Sequence, residues 1–234
     1  MMKSPLLLLF DVDGTLIRTD GAGVRAFNRG FLEVMGWENA LGTFSPAGMT
    51  DMAIAQRVAR WFRGTDLEPE EMRRVFDRYL ELLPVELSGS GSGYRVLAGI
   101  RPFLEKYSHG GELLIGLGTG NLELGARLKL RHGGLEAFFK FGGYGSDAQN
   151  RAELLAVGIG RGEALAGGSI PRERVVVIGD TPLDVAAGHA VGAKTLAVAT
   201  GPFKVAELKA CGPDAVVSDF NEISILETCL EAWL

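Results

Sequence analysis

The sequence predicts an α/β protein, a doubly wound Rossmann-like parallel sheet with a small α-helical cap inserted after the first strand. Three observations carry this expectation. Five short apolar runs are continuous rather than alternating, as strands buried on both faces are. Helical stretches alternate with the later runs, which is the rhythm of a parallel sheet. The interval from about 19 to 84 instead repeats apolar residues at three- and four-residue steps, the mark of amphipathic helices.

The elements follow in order. Leu6–Phe10 reads as the first strand and runs directly into Asp11-Val12-Asp13-Gly14-Thr15. Ala22–Met35, Asp51–Phe62 and Pro69–Leu83 read as amphipathic helices. Ser88-Gly89-Ser90-Gly91-Ser92-Gly93 has the composition of a flexible hinge. It does not join a strand to a helix, as a phosphate-cradling loop would. Four further strands are expected at Leu113–Leu117, Val175–Ile178, Thr195–Ala199 and Ala215–Val217. Helices are expected at Leu122–Arg131, Arg151–Ala166, Leu183–Ala190, Val205–Ala210 and Ile223–Trp233. Gly158, Gly160 and Gly162 weaken the second of these by about 1 kcal/mol each relative to alanine. The expected division is a core of residues 1–15 and 91–234 and a helical cap of residues 16–90, tethered as a lid over the carboxyl edge of the sheet.

Composition narrows the function. The chain has 234 residues, 47% hydrophobic and 23% charged, an ordinary globular balance. Lysine and arginine number 24 against 29 acidic residues, a net charge of −5. No global attraction for nucleic acid or an anionic membrane follows, so an anionic ligand must be held by local groups. Cys211 and Cys229 lack metal-site spacing and read as reduced thiols. Met1-Met2-Lys3 followed by the run Leu6–Phe10 is too short in its apolar part for a secretory signal, and no run reaches the roughly 20 apolar residues of a membrane span. A cytoplasmic protein is expected, with the oligomeric state left open.

The chemistry lies where strands end. Asp11 and Asp13 follow a buried strand, and ligands of open α/β sheets sit just beyond the carboxyl ends of strands. Two adjacent carboxylates repel, and burying them uncompensated is costly, so a hard divalent cation such as Mg²⁺ is the natural partner. A turn that merely favours Asp and Gly is the plainer alternative. Val175–Ile178 likewise runs into Gly179-Asp180-Thr181-Pro182-Leu183-Asp184, where Asp180 ends the strand and Asp184 follows at helical spacing, with Pro182 early in a helix. The third piece, Thr119-Gly120-Asn121, ends another strand. Its hydroxyl and the amides of Gly120 and Asn121 suit a phosphate oxygen.

Together these motifs resemble the haloacid dehalogenase-like hydrolase superfamily, in particular its helical-cap phosphatases of the phosphoglycolate phosphatase type. The resemblance covers essentially the whole chain. It implies that Asp11 attacks phosphorus to form an aspartyl-phosphate, while Asp13 protonates the leaving alcohol and then activates water. Mg²⁺ would be held by Asp11, the Asp13 main-chain carbonyl and Asp180, with Asp184 binding or orienting that set. Thr119, the amides of Gly120 and Asn121, and a cation would hold the transferring group. Relatives supply that cation as lysine. Here the matching stretch, Gly145–Leu154, offers only Arg151, with Lys140 as the fallback. The implied ligand is a small phosphorylated metabolite. A phosphomutase using the same acids, or a non-catalytic phosphate-binding protein, are the alternative readings. Dehalogenases of the superfamily lack the second acid, so Asp13 points to phosphoryl transfer.

Other residues carry less. His109, His132 and His189 share no metal spacing, and His132 reads as the end of a helix. Trp37, Trp61 and Trp233 read as packing residues. Thr50, in Gly48-Met49-Thr50-Asp51, is either a helix cap or a substrate contact.

Overall fold

In the computed structural model, which describes residues 4–89, 93–108 and 112–234, the leucine- and valine-rich runs pair side by side in one direction. The strands are β1 (Leu6–Phe10), β4 (Leu113–Thr119), β5 (Gly142–Tyr144), β6 (Val175–Gly179), β7 (Lys194–Val198) and β8 (Ala215–Val217). Among the described residues they form a six-stranded parallel sheet in the order β5-β4-β1-β6-β7-β8. The chain builds outward from β1 to one side, then returns to β6 and builds outward to the other. The boundary between β1 and β6 is therefore the topological switch point where ligands of this architecture bind.

β1 is buried on both faces because its side chains alternate between two cores. Leu6, Leu8 and Phe10 enter one cluster, where Phe10 lies about 6 Å from the rings of Phe103, Phe139 and Phe220. Leu7 and Leu9 enter the other, against Leu154, Leu155 and Ile159. The flanking helices are α4 (Ile100–Tyr107), α5 (Glu123–His132), α6 (Arg151–Ala166), α7 (Pro182–Ala190), α8 (Val205–Lys209) and α9 (Ile223–Trp233). Two of the three glycines of α6 have a packing reason: a Cβ on Gly158 would stand 2.8 Å from the Gly143 nitrogen and one on Gly162 3.0 Å from Leu7, so the helix lies close against the sheet, whereas Gly160 faces open space. Among the described residues no helix is long and apolar enough to cross a membrane.

Three helices, α1 (Ala22–Met35), α2 (Asp51–Arg63) and α3 (Pro69–Gly89), build a second apolar cluster around Phe27, Phe31, Val58, Val75, Tyr79 and Leu83. Two-residue strands β2 (Ile17–Arg18) and β3 (Arg95–Val96) pair antiparallel where the chain enters and leaves this helical unit. No pattern of residues announced them, nor α4 and β5. Pairs of residues leave no periodicity, and β5 is two-thirds glycine. The expected hinge needs correcting at its start. α3 runs through Pro84 to Gly89, taking in Ser88 and Gly89, because Leu83 and Leu87 continue its buried stripe. Ser90–Ser92 lie outside the described residues, as do Met1–Lys3 and His109.

Candidate active site

At the end of β1 the chain carries Asp11 into the switch-point crevice and then turns sharply. Gly14 makes that turn possible. Its φ is +86°, and a Cβ there would lie 2.4 Å from the Asp180 Oδ2. Thr15 closes the approach by donating its hydroxyl to Asp180 Oδ1 at 3.0 Å. Asp180 follows β6 directly. Four residues on, Asp184 is fixed by local helix chemistry. Thr181 caps α7 with Pro182 in the first turn, and Asp184 Oδ2 accepts from the Thr181 amide (3.0 Å) and hydroxyl (2.7 Å).

These loops gather three buried carboxylates. Oxygens of Asp11, Asp180 and Asp184 lie within 4.8 Å of one another. Arg151, the first residue of α6 behind its Asn150 cap, lays its guanidinium among them. Nη2 stands 3.1 Å from Asp11 Oδ1 and also binds Asp184, while Nη1 donates to the Gly48 carbonyl at 3.1 Å. Burial pushes the Asp11 carboxyl up to about 6, with Arg151 opposing and Asp184 and Asp13 adding to the rise. Asp180 is pushed up to about 8 by burial and by Asp184 and Asp11. Burial opposes the charge of Arg151, but Asp184 and Asp11 outweigh it and hold the guanidinium protonated.

Asp13 stands apart from that triad, its side chain 40% exposed. Asp13 Oδ2 accepts from Lys129 Nζ at 2.6 Å and from Asn121 Nδ2 at 2.9 Å. Lys129 Nζ also donates to Asn121 Oδ1 at 2.6 Å. Asn121 further donates to the Thr119 hydroxyl oxygen at 2.8 Å, and Thr119 is hydrogen-bonded to Asp11. A cavity of about 500 Å³ opens over this floor. Its polar base includes Asp11, Asp13, Asn121, Lys129, Arg151 and Asp180, and its apolar roof includes Val24, Phe27, Leu41, Met49 and Ile54 of the helical unit.

The geometry thus brings Asp11, Asp13, Thr119, Gly120, Asn121, Arg151, Asp180 and Asp184 to one crevice, and it bears on three further expectations. Lys140 is exposed and does not line the cavity among the described residues, so the fallback cation lies elsewhere. Thr50 takes the first of its two expected roles, capping α2: its hydroxyl accepts from Ala53 N and donates to the Gln149 carbonyl at 2.9 Å. Its neighbour Asp51 lines the cavity instead. Trp61 is 84% exposed rather than packed, whereas Trp37 does stack on Phe31 and Phe62. The sequence reading missed Lys129 altogether. A signal was available: Lys129 falls on the stripe of α5 that buries Gly125, Ala126 and Leu130, where a lysine has no packing reason to be.

Comparison with known proteins agrees with this architecture. The sequence model of the haloacid dehalogenase-like hydrolase family matches residues 8–189, and an HAD-hydrolase-like model matches residues 160–223. No curated protein matches significantly in sequence. Among solved structures, CbbY from Rhodobacter sphaeroides in complex with phosphate is similar at 18% identity and TM-score 0.70, over 94% of this chain and 96% of that one. A phosphoglycolate phosphatase-like protein from Haemophilus somnus is similar at 17% identity and TM-score 0.68, over 97% and 100%. A β-phosphoglucomutase-like protein from Bacteroides vulgatus gives 21% identity and TM-score 0.67, over 99% and 90%. With most of its length, from β1 through α7, matched by one family, the chain belongs to the haloacid dehalogenase-like hydrolases.

Proposed function

We propose that the protein is a Mg²⁺-dependent phosphatase that hydrolyses small phosphomonoesters through an aspartyl-phosphate on Asp11, with residues 16–90 as its cap. The observation that carries this reading is the division of labour between two acids two residues apart. Asp11 is buried against Arg151, while Asp13 is turned to the cavity and held by Lys129 and Asn121.

The donor set fits the metal. Three buried carboxylates share one guanidinium, and burial, with Asp184 and Asp11 adding to it, pushes the Asp180 carboxyl up to about 8. Clustered hard oxygen donors suit Mg²⁺, which Asp11, Asp180 and Asp184 would hold together with the Asp13 main-chain carbonyl. When bound, it supplies positive charge that relieves repulsion between the nucleophile and the phosphate dianion.

The rest is done by side chains of this protein. Asp11 attacks phosphorus, the bond to the ester oxygen breaks, and Asp13 gives the departing alkoxide a proton. Asp13 then takes a proton from water as that water attacks the aspartyl-phosphate, freeing inorganic phosphate and restoring Asp11. Arg151, the Thr119 hydroxyl and the amides of Gly120 and Asn121 bind the charge on the phosphoryl oxygens. The apolar roof closes over the leaving group and keeps bulk water from the intermediate.

Phosphate release from a panel of phosphomonoesters, with Mg²⁺ and with excess chelator, tests the reading. Turnover abolished by chelator and restored by Mg²⁺ is expected. Undiminished release in chelator sinks the metal assignment, and transfer to a second sugar hydroxyl without free phosphate marks a mutase. Hydrolysis of a phosphorothioate ester made chiral with ¹⁸O, run in ¹⁷O water, should proceed with retention at phosphorus, the sum of two in-line displacements. Inversion would mean a single displacement, direct attack by water.

A further inference from the structure

Lys129 is a buried cation whose one part in the proposed chemistry is to hold Asp13. An ammonium is costly to bury unless paired, and this one is 4% exposed. It is anchored from behind, since Tyr94 donates its hydroxyl to the Lys129 carbonyl at 2.8 Å. Two of its three N–H donors go to Asp13 and Asn121. The third has no acceptor among the described residues, and Lys129 lines the cavity.

A second orphan lies beside it. The Tyr79 hydroxyl of α3 is buried, has no hydrogen-bond partner, and belongs to the same cavity wall. Tyr79, Asp13, Asp51 and Lys129 all line this one cavity, and the two carboxylates favour the charge of the ammonium. Unsatisfied polar atoms in a native interior call for a partner, and here both edge the space above the acid that protonates the leaving oxygen.

We propose that Lys129 and Tyr79 form a leaving-group subsite that takes a neutral hydroxyl one or two carbons from the ester oxygen, so that the preferred substrates are monophosphates of vicinal diols and not of hydroxy acids. The inference rests on the phosphatase reading. Its position follows from contact: Lys129 touches the Asp13 oxygen that also accepts from Asn121, so an oxygen reaching the ammonium lies within a carbon or two of the ester oxygen. Its charge preference follows from the local balance. One ammonium already faces two carboxylates, Asp13 and Asp51, and a third carboxylate from the substrate would be repelled. A hydroxyl has two lone pairs and one proton, so it can accept from both Lys129 and Tyr79 and donate to a carboxylate, satisfying both orphaned donors.

A matched series tests this: propyl phosphate, 2-hydroxyethyl phosphate, which replaces its terminal methyl by hydroxyl, and phosphoglycolate, which carries a carboxylate there. The expected kcat/KM for 2-hydroxyethyl phosphate exceeds that for each of the others by at least about tenfold. Equal values for the hydroxyethyl and propyl esters, or preference for phosphoglycolate, overturn the subsite. Lys129→Met and Tyr79→Phe should each reduce the hydroxyethyl-to-propyl ratio, and an unchanged ratio in both refutes the assignment of these residues. If the wild type releases phosphate from none of these esters nor from p-nitrophenyl phosphate, the phosphatase reading fails by itself. Thermal protection of the Asp11→Asn protein then reads the subsite directly: greater protection by the hydroxyethyl than by the propyl ester supports it, and equal protection overturns it.

Discussion

Arg151 occupies three directions at once, toward Asp11, toward Asp184 and toward the Gly48 carbonyl of the helical unit. A planar fork can do this and a point ammonium on a shorter stem cannot. Arg151→Ala should lower turnover on the order of 10²–10³-fold, as loss of a preorganised charge does. Arg151→Lys should recover only part of that, because it restores charge without the bridge to Gly48. Lys140→Ala is the control and should match wild type, since Lys140 is exposed outside the cavity. Steady-state kcat on one phosphomonoester decides: normal turnover in Arg151→Ala removes this residue from the mechanism. Asp13→Asn should cost about 10²–10⁴-fold while leaving Asp11 able to be phosphorylated, measurable as trapped phosphoenzyme. The acids and Arg151 were legible because each ends a strand or begins a helix, where sequence alone implies a sheet-edge position. Lys129 was not, because its role depends on the face that α5 turns inward, and Tyr79 was hidden in an ordinary apolar stripe of α3.

Among the elements, the joint between the helical unit and the sheet is made of helix ends. The cap position before α5 is Leu122, which offers no side-chain hydrogen bond. Asp51, in the first turn of α2, supplies it from the other unit, accepting from the Leu122 amide at 2.8 Å while its own amide donates to the Gly120 carbonyl at 2.8 Å. One carboxylate thus caps a helix of the core and ties the loop after β4 to the roof of the cavity. Asp51→Ala should destabilise the protein by about 1–2 kcal/mol, as loss of a helix cap does. That corresponds to a fall in Tm of about 2–8 °C in thermal melts at this chain length. A melt indistinguishable from wild type would mean that water replaces the carboxylate and that the joint is loose. Sequence periodicity marked both helices within a residue or two at their starts. It could not show that Asp51 caps a helix some 70 residues away, since capping is read locally. The same limit explains β2 and β3, whose pairing is set by where the helical unit joins the core and not by any run of strand-forming residues.

For the whole molecule, the acid cluster makes stability depend on pH and metal together. Asp11 and Asp180 titrate near 6 and 8 in the fold, against an ordinary value of 3.8. The folded state therefore binds more protons than the unfolded one between about pH 4 and pH 8. Stability falls with pH wherever that holds. The contribution is fully present below pH 4 and is lost as pH rises through about 8. Paired surface acids act with the opposite sign, Glu71 for example being held down to about 2 by Arg63, but their effect is confined to acid conditions. Between pH 5 and pH 8 the cluster should dominate, so metal-free protein should lose several degrees of Tm across that interval. Mg²⁺ binds the folded carboxylates and stabilises by about 2.7 kcal/mol at a hundred times its dissociation constant. It binds best where they are ionised, so the gain should be largest at pH 8 and small at pH 5. Melts in chelator and in Mg²⁺ across this range should converge at low pH and separate at high pH. Parallel curves, with the same Mg²⁺ increment at every pH, would show that these carboxylates do not hold the ion.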